Sequence, residues 1–317
     1  MSDEPAAAVA PAAPEVVPAA EAVPAEPAAA VEEPTKEAKP VAVVDGPDPS
    51  SPLVDKLSTQ DKTAIKALRA KLPEILKSAY EDTSKPERTT TTIWGVTLDP
   101  ASPPSAKEFI VYYKFLKARN MSVDAARDML LATLRWRDEM DIDAIMKEEF
   151  PEDVFGTLGR ISGKDKEGRP VTYNLYGEVK DNKAVFGDVK RFIRWRVQLM
   201  EKGVALLDFE TVDQMVQVHD YTGVSSSSRT PESKAAASEA SSVFGSHYPE
   251  LLSRKFFVGV PTLMSWIFWV FKAIVPSQTF AKMTVVGTGS ATIGKELEKV
   301  IEKKELPERY GGEGSKF

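Results

Sequence analysis

From Thr157 onward, short strand-like apolar runs alternate with longer stretches whose apolar residues recur at helical spacing. This alternation limits the fold more than any other feature of the chain. The stretch LGRISGKDKEGRPVTYNLYG, residues 158–177, reads as two strands joined by a polar, glycine-containing turn. It is followed by a helix over 188–203, a strand over 214–220, a helix over 230–244, a strand over 256–260, a helix over 263–274 and a strand over 283–286. Strands separated by helices of that length lie in parallel, with the helices as crossovers, because a hairpin has no room for them. An amphipathic helix is expected over 292–304. The expected class is therefore α/β with a mostly parallel sheet.

The residues before Thr157 read as helical. A helix over 59–81, capped by Ser58 or Thr59, would place Ile65, Leu68, Leu72, Ile75 and Leu76 on one face. Residues 82–105 read as irregular, with the run TTTTIWGV extended. Two helices follow, over 106–119 and 122–138; the second aligns Ala126, Met129, Leu130, Thr133 and Leu134. Residues 1–52 are Ala, Pro, Val and Glu with frequent proline, which blocks helix and ladder alike, so a disordered, solvating tail is expected. The expected division is a tail over 1–52, a helical lobe over 53–150, an α/β lobe over 151–312 and a short tail over 313–317.

The net charge of −6 is uneven along the chain. Residues 1–50 hold 10 acidic and 2 basic side chains, leaving 37 acidic against 39 basic in the remainder. The folding part is thus close to neutral, and no basic stripe or finger pattern points to nucleic acid. With no cysteine, disulfides, thiolate nucleophiles, iron–sulfur clusters and Cys-ligated zinc are excluded. The first residues lack the basic start and apolar core of a secretory signal, and their acidity disfavours a mitochondrial one; a cytoplasmic location is expected. GTGSATIGK lacks the spacing of a phosphate-binding loop, and two histidines with no clustered carboxylates leave no catalytic set, so an enzyme is not expected.

The stretch FLKARNMSVDAARDMLLATLRWRDEM, with GRPV, HDYTGV, HYPELLSRKFFVGVP, FAKMTVVG and LPERYGG after it in that order, resembles the CRAL-TRIO (Sec-fourteen-like) lipid-transfer family from about Lys107 to Gly312. The resemblance implies a helical N-terminal lobe and a sheet that floors a hydrophobic cavity closed by a gate helix. FIVYYKFLKARN, GRPVTYNLYG and FIRWRVQLMEKG look most like a non-classical fungal branch. That branch is associated with phosphatidylinositol binding or transfer, with phosphoinositide homeostasis and, through a tyrosinate, with haem b. Transient peripheral contact with endoplasmic reticulum or microsomal membrane would follow, with no obligate protein partner. Two other readings stand beside it: a haem-binding, oxidative-stress protein without significant lipid transfer, and an adaptor with a vestigial pocket.

Candidate site residues follow from the same reading. The apolar stretch 256–275 matches the roughly 20 residues a membrane span needs, but Pro261 interrupts it and Lys272 lies inside it. A buried crossover helix is one alternative. The resemblance implies another, a gate helix in which Trp266, Trp269 and Phe271 meet the headgroup boundary. Trp266 and Trp269 stand where typical members carry a headgroup-binding Thr and Lys, and Glu239 stands at the position of the headgroup-linked Glu. The resemblance places the haem-ligating tyrosine at Tyr176 and its supporting histidine at Asn174. A phenolate binds ferric iron provided a nearby cation lowers its ordinary pKa of about 10; an ordinary core tyrosine is the alternative. His219 is a second candidate iron ligand, and His247 reads as structural. Tyr112 or Tyr113 would line the pocket. Arg160, Arg196 and Lys202 are candidates for haem propionates or a lipid phosphate, against the alternative of solvated surface charge.

Overall fold

In the computed structural model, which describes residues 42–81, 88–224, 228, 230–260 and 280–317, the first helix is started by its own side chains. The Ser58 hydroxyl accepts from the Asp61 N–H, and the Asp61 carboxylate accepts from the Ser58 N–H (3.0 Å), closing a capping box before α1 (Thr59–Ala70). The single helix expected over 59–81 is two helices, because Lys71 separates α1 from α2 (Leu72–Tyr80). Pro73 lies in the first turn of α2, the one place where a missing N–H leaves no bond unmade. Ile65, Leu68, Leu72, Ile75 and Leu76 are all buried. The run TTTTIWGV is extended as expected. It forms a hairpin of β1 (Thr91–Ile93) and β2 (Val96–Leu98), with Trp94 and Gly95 at φ 53° and 76° in the left-handed turn between them.

α3 (Ala106–Lys117) and α4 (Val123–Met140) begin at the caps Ser105 and Ser122. Two short helices that periodicity does not reveal follow, α5 (Ile142–Lys147) and α6 (Glu152–Phe155). One apolar core joins α1–α4 to Met200, Val204, Met215 and Leu251.

The sheet runs β3 (Gly159–Lys164), β4 (Pro170–Leu175), β5 (Met215–Asp220), β6 (Leu252–Val258), β7 (Met283–Val285), in chain order. β3 pairs antiparallel with β4 through a register shift between Ile161 and Lys164, and every later pair is parallel. α7 (Asn182–Phe186) and α8 (Val189–Val204) connect β4 to β5; α9 (Pro231–His247) connects β5 to β6. Because spatial order follows chain order, right-handed crossovers put these helices on one face. The opposite face carries Val171, Tyr173, Leu175, Val216, Val218, Phe256 and Val258. They pack on Ile293 and Leu297 of α10 (Ser290–Leu297) and on Ile301, Leu306 and Tyr310. α10 stops short of the expected 304 because the backbone turns to pair with the β3–β4 connection. There Val300 O accepts from Lys166 N (2.8 Å), and Ile301 bridges Asp165.

Candidate ligand-binding site

On the crossover side the sheet is unusually polar. Register aligns Thr172, Gln217, Lys255 and Met283 in one row and Asn174, His219, Phe257 and Val285 in the next, two residues further along each strand. α8 covers only the near end. A Cβ on Gly203 would stand 3.1 Å from the Thr172 methyl, so the absence of a side chain there lets the helix lie against β4. α9 packs on α4, α7 and α8 rather than on the strands. Tyr176, Tyr221, Lys255 and Phe257 keep accessible surface, and the first three are nevertheless enclosed by protein. Tyr176 and Tyr221 stand at the carboxyl ends of β4 and β5, where open α/β sheets place their ligands.

Tyr176 leaves the end of β4 at the start of a tight turn, Tyr176–Glu178. Any Cβ on Gly177 would overlap the Thr222 carbonyl oxygen, so glycine permits the approach of the two strand ends. That approach sets the Tyr176 ring 5.2 Å from Tyr221 and 5.7 Å from His219. The Tyr176 hydroxyl lies 3.4 Å from His219 Nδ1, Asn174 Nδ2 lies 3.4 Å from His219 Nε2, and Gln217 Oε1 lies 3.5 Å from the same Nε2. Burial, then the positive charges of Lys255 and Arg196, push the His219 pKa well below its ordinary value, so the imidazole is neutral. A neutral ring offers one donor and one acceptor. Either Tyr176 donates to Nδ1 while Nε2–H donates to Gln217, or Asn174 donates to Nε2 while Nδ1–H donates to the Tyr176 oxygen. Only the second arrangement stabilises a phenolate. Asn174 Oδ1 is buried without a partner among the described residues. His219 is the register partner of Asn174 on the adjacent strand. An imidazole thus stands beside Tyr176 from β5, whereas the resemblance expects one at 174.

Two cations act on these groups. Arg196 on α8 is 6% exposed, stands 5.2 Å over the Phe244 ring and 5.8 Å over Trp195, and leaves its Nε without a partner. Lys255 stands 5.4 Å over Phe257, and its pKa is lowered to about 8 by burial and then by Arg196. Burial raises the Tyr176 pKa and Arg196 opposes it. Among the described residues no carboxylate pairs with either cation. Lys255, Gln217 and Tyr221 are absent from the sequence-derived candidates. The expected strand began at Phe256, one residue too late to place Lys255 on the Phe257 face.

Other candidates lie elsewhere. Arg160 is the register partner of Tyr173, so it leaves the sheet on the packed face, and its guanidinium donates to the Gly156 and Gly159 carbonyls (2.8 Å to the latter). Lys202 is exposed and donates to Gln198 (2.7 Å); one position from Gly203 on a helix, it is turned about 100° from the face that meets the sheet. Tyr112 is fully buried in the helical core and donates to Glu108 (3.2 Å). Tyr113 packs in that core too, with Asp61, Lys117, Glu250 and Asp213 as its charged neighbours. Neither joins Tyr176. Glu239 is exposed on α9. His247 stacks on Trp136 at 4.4 Å, the structural role expected for it. Trp266, Trp269 and Phe271 lie outside the described residues. Within those residues no helix is long and apolar enough to cross a membrane.

The model of the CRAL/TRIO domain matches residues 156–312. A relative from Cryptococcus neoformans var. neoformans serotype D, called phosphatidylinositol transfer protein SFH5, is 37% identical over 292 residues, covering 86% of this chain and 93% of its own length. One of the same name from Sclerotinia sclerotiorum is 36% identical over 274 residues, covering 82% and 63%. The crystal structure of Sfh5 superimposes with a TM-score of 0.69 at 29% identity, covering 82% of this chain and 89% of that one. The alternating strands and helices, the polar sheet face and these relatives place the chain in the CRAL-TRIO family.

Proposed function

We propose that the protein is a non-enzymatic carrier that binds phosphatidylinositol and moves it between membranes, from a cytoplasmic location with transient contact at the endoplasmic reticulum. The observation that carries this reading is the polar crossover face of the sheet, where Asn174, Tyr176 and His219 come together, in a chain whose relatives are called phosphatidylinositol transfer proteins. The sequence offers the aromatic run at 266–271 for the membrane contact. Transfer of labelled phosphatidylinositol between vesicles tests it. The full chain should accelerate transfer well above the spontaneous rate, and Trp266→Ala/Trp269→Ala should slow it; no acceleration would sink the reading.

A second ligand is favoured by one local observation, the contact of the Tyr176 hydroxyl with His219 within reach of the Arg196 charge. The donor set fits a haem held by a tyrosinate. Tyr176 offers the oxygen; burial raises its pKa on balance and Arg196 opposes that rise, and His219 in its Nδ1–H form would donate to the ionised oxygen. Haem bound there would supply a redox-capable iron and a visible chromophore. Protein purified from haem-replete cells should show a Soret band that Tyr176→Phe removes; a colourless wild type counts against haem.

A further inference from the structure

One chain of polar contacts joins the packed face of the sheet to the strand ends that carry Tyr176 and Tyr221. Asp220 ends β5, and its buried side chain lies on the packed face. Its Oδ1 accepts from the Thr222 N–H (2.8 Å), which fixes the backbone on both sides of Tyr221. Its Oδ2 accepts from the Tyr310 hydroxyl (2.8 Å) and lies 3.5 Å from the guanidinium of Arg309, in the turn Glu308–Tyr310. The same Arg309 nitrogen donates to Glu178 Oε1 (3.2 Å). Glu178 closes the turn Tyr176–Glu178, in which the Val179 N–H donates to the Tyr176 carbonyl (3.3 Å). One guanidinium thus ties the turn bearing Tyr176 to the end of β5. On the other face of the sheet the Tyr176 and Tyr221 rings stand 5.2 Å apart, with the Tyr176 hydroxyl 3.4 Å from His219 Nδ1.

We propose that Arg309 is a positioning residue for the ligand site: from the opposite face of the sheet, it holds the ends of β4 and β5 so that the Tyr176 hydroxyl meets His219. This inference rests on reading Tyr176 as part of that site, and it adds a residue that touches no ligand. The contacts favour position over stability. The Arg309 side chain is 22% exposed and that of Glu178 41%, and an ion pair so open to water contributes little to stability. Asp220 already accepts from two donors, so it does not depend on the guanidinium at 3.5 Å. Among the described residues no other cation meets both carboxylates. Losing that charge would let the turn rotate against β5, and a small rotation at the backbone grows along the length of a phenol side chain.

The experiment uses the full chain, ligand-free and labelled with 3-fluorotyrosine, as wild type, Arg309→Gln, Arg309→Lys, Glu178→Gln and the double variant Arg309→Gln/Glu178→Gln. Single Tyr→Phe replacements at 112, 176 and 221 assign the fluorine signals. Arg309→Gln should shift or broaden the Tyr176 and Tyr221 signals and leave Tyr112, in the helical core, where it was. Glu178→Gln should do the same, and the double variant should add nothing, because both changes break one contact. Arg309→Lys should restore most of the wild-type spectrum, since a charge stays between the carboxylates. Melting temperatures should remain within about 3 °C of wild type. Vesicle transfer of labelled phosphatidylinositol and absorbance titration with haemin show which probe wild type takes, and Arg309→Gln should weaken that response by about threefold or more. Unmoved Tyr176 and Tyr221 signals, additive single variants, a lysine variant no better than glutamine, or an unchanged response to a probe that wild type takes overturns this inference and leaves the carrier reading standing. Signals that move only with a large drop in melting temperature make Arg309 a structural residue and also overturn it. If wild type takes neither probe, the carrier reading falls, while the spectra still decide whether Arg309 positions Tyr176.

Discussion

The two faces of one sheet follow opposite rules. On the α10 face, the inward residues of β4 and β5 are apolar except for two: Tyr173, whose buried hydroxyl has no hydrogen-bond partner among the described residues, and Asp220, which accepts from the Tyr310 hydroxyl at 2.8 Å and lies 3.5 Å from Arg309. On the crossover face, β4, β5 and β6 present Asn174 with an oxygen that has no partner among the described residues, a neutral His219, and Lys255, which no described carboxylate pairs. Since side chains alternate along a strand, Phe256 and Phe257 belong to different worlds although they are neighbours in the chain. The comparison teaches that the fold is secured on one side, which leaves the other free to keep polar groups that a core would reject.

The sharpest way to break that contrast is to truncate the two phenylalanines. Phe256 is 2% exposed in the packed face, and Phe256→Ala should lower stability by roughly 3–5 kcal/mol in chemical denaturation. Phe257 lies on the crossover face and keeps accessible surface, so Phe257→Ala should cost about 1–2 kcal/mol, because less packing is lost there. Equal losses would mean that the crossover face is as tightly packed as the other.

A smaller effect tests the charge on the polar face. The Lys255 pKa is about 8 in the fold against an ordinary 10.5. Between those values the unfolded chain holds a proton that the native protein has released, so native stability rises with pH across the window. Below about 8 both states are protonated and the whole penalty is present. Arg196 stays charged and His219 neutral throughout, so neither supplies the slope. The empty Lys255→Met variant should be more stable than wild type near pH 7, by an amount on the order of 2 kcal/mol, and the gap should narrow towards pH 10.5. A gap that does not change with pH would assign the stabilisation to packing.

The packed face was legible in the sequence because apolar alternation in GRPVTYNLYG and QMVQVHDYTG fixes where strands lie. The polar face was legible only in part. Tyr176, Asn174, His219 and Arg196 were foreseen, and they do come together. Lys255 was not, because LSRKFFV begins with polar residues that mask the first half of β6; its pairing with Met215–Asp220 is a long-range fact. Arg160 was misplaced for a related reason. On an edge strand, polarity does not say which face is which, and only the pairing of Arg160 with Tyr173 decides it.

Lys202 gives the smallest effect and the cleanest control. Arg196 and Gly203 are seven residues apart on α8, two turns, and share the stripe that meets the sheet, whereas Lys202 projects from its flank into solvent. Its 2.7 Å bond to Gln198 is a part-buried contact, and Gln198 keeps its two bonds to the Ile145 and Glu148 carbonyls without it. Lys202→Ala should therefore change stability by less than about 0.5 kcal/mol and leave ligand binding as in wild type, while Arg196→Met on the same helix weakens it. If Lys202→Ala weakens binding as much as Arg196→Met, positive charge anywhere on α8 suffices, and the distinction between a buried site and a basic surface disappears.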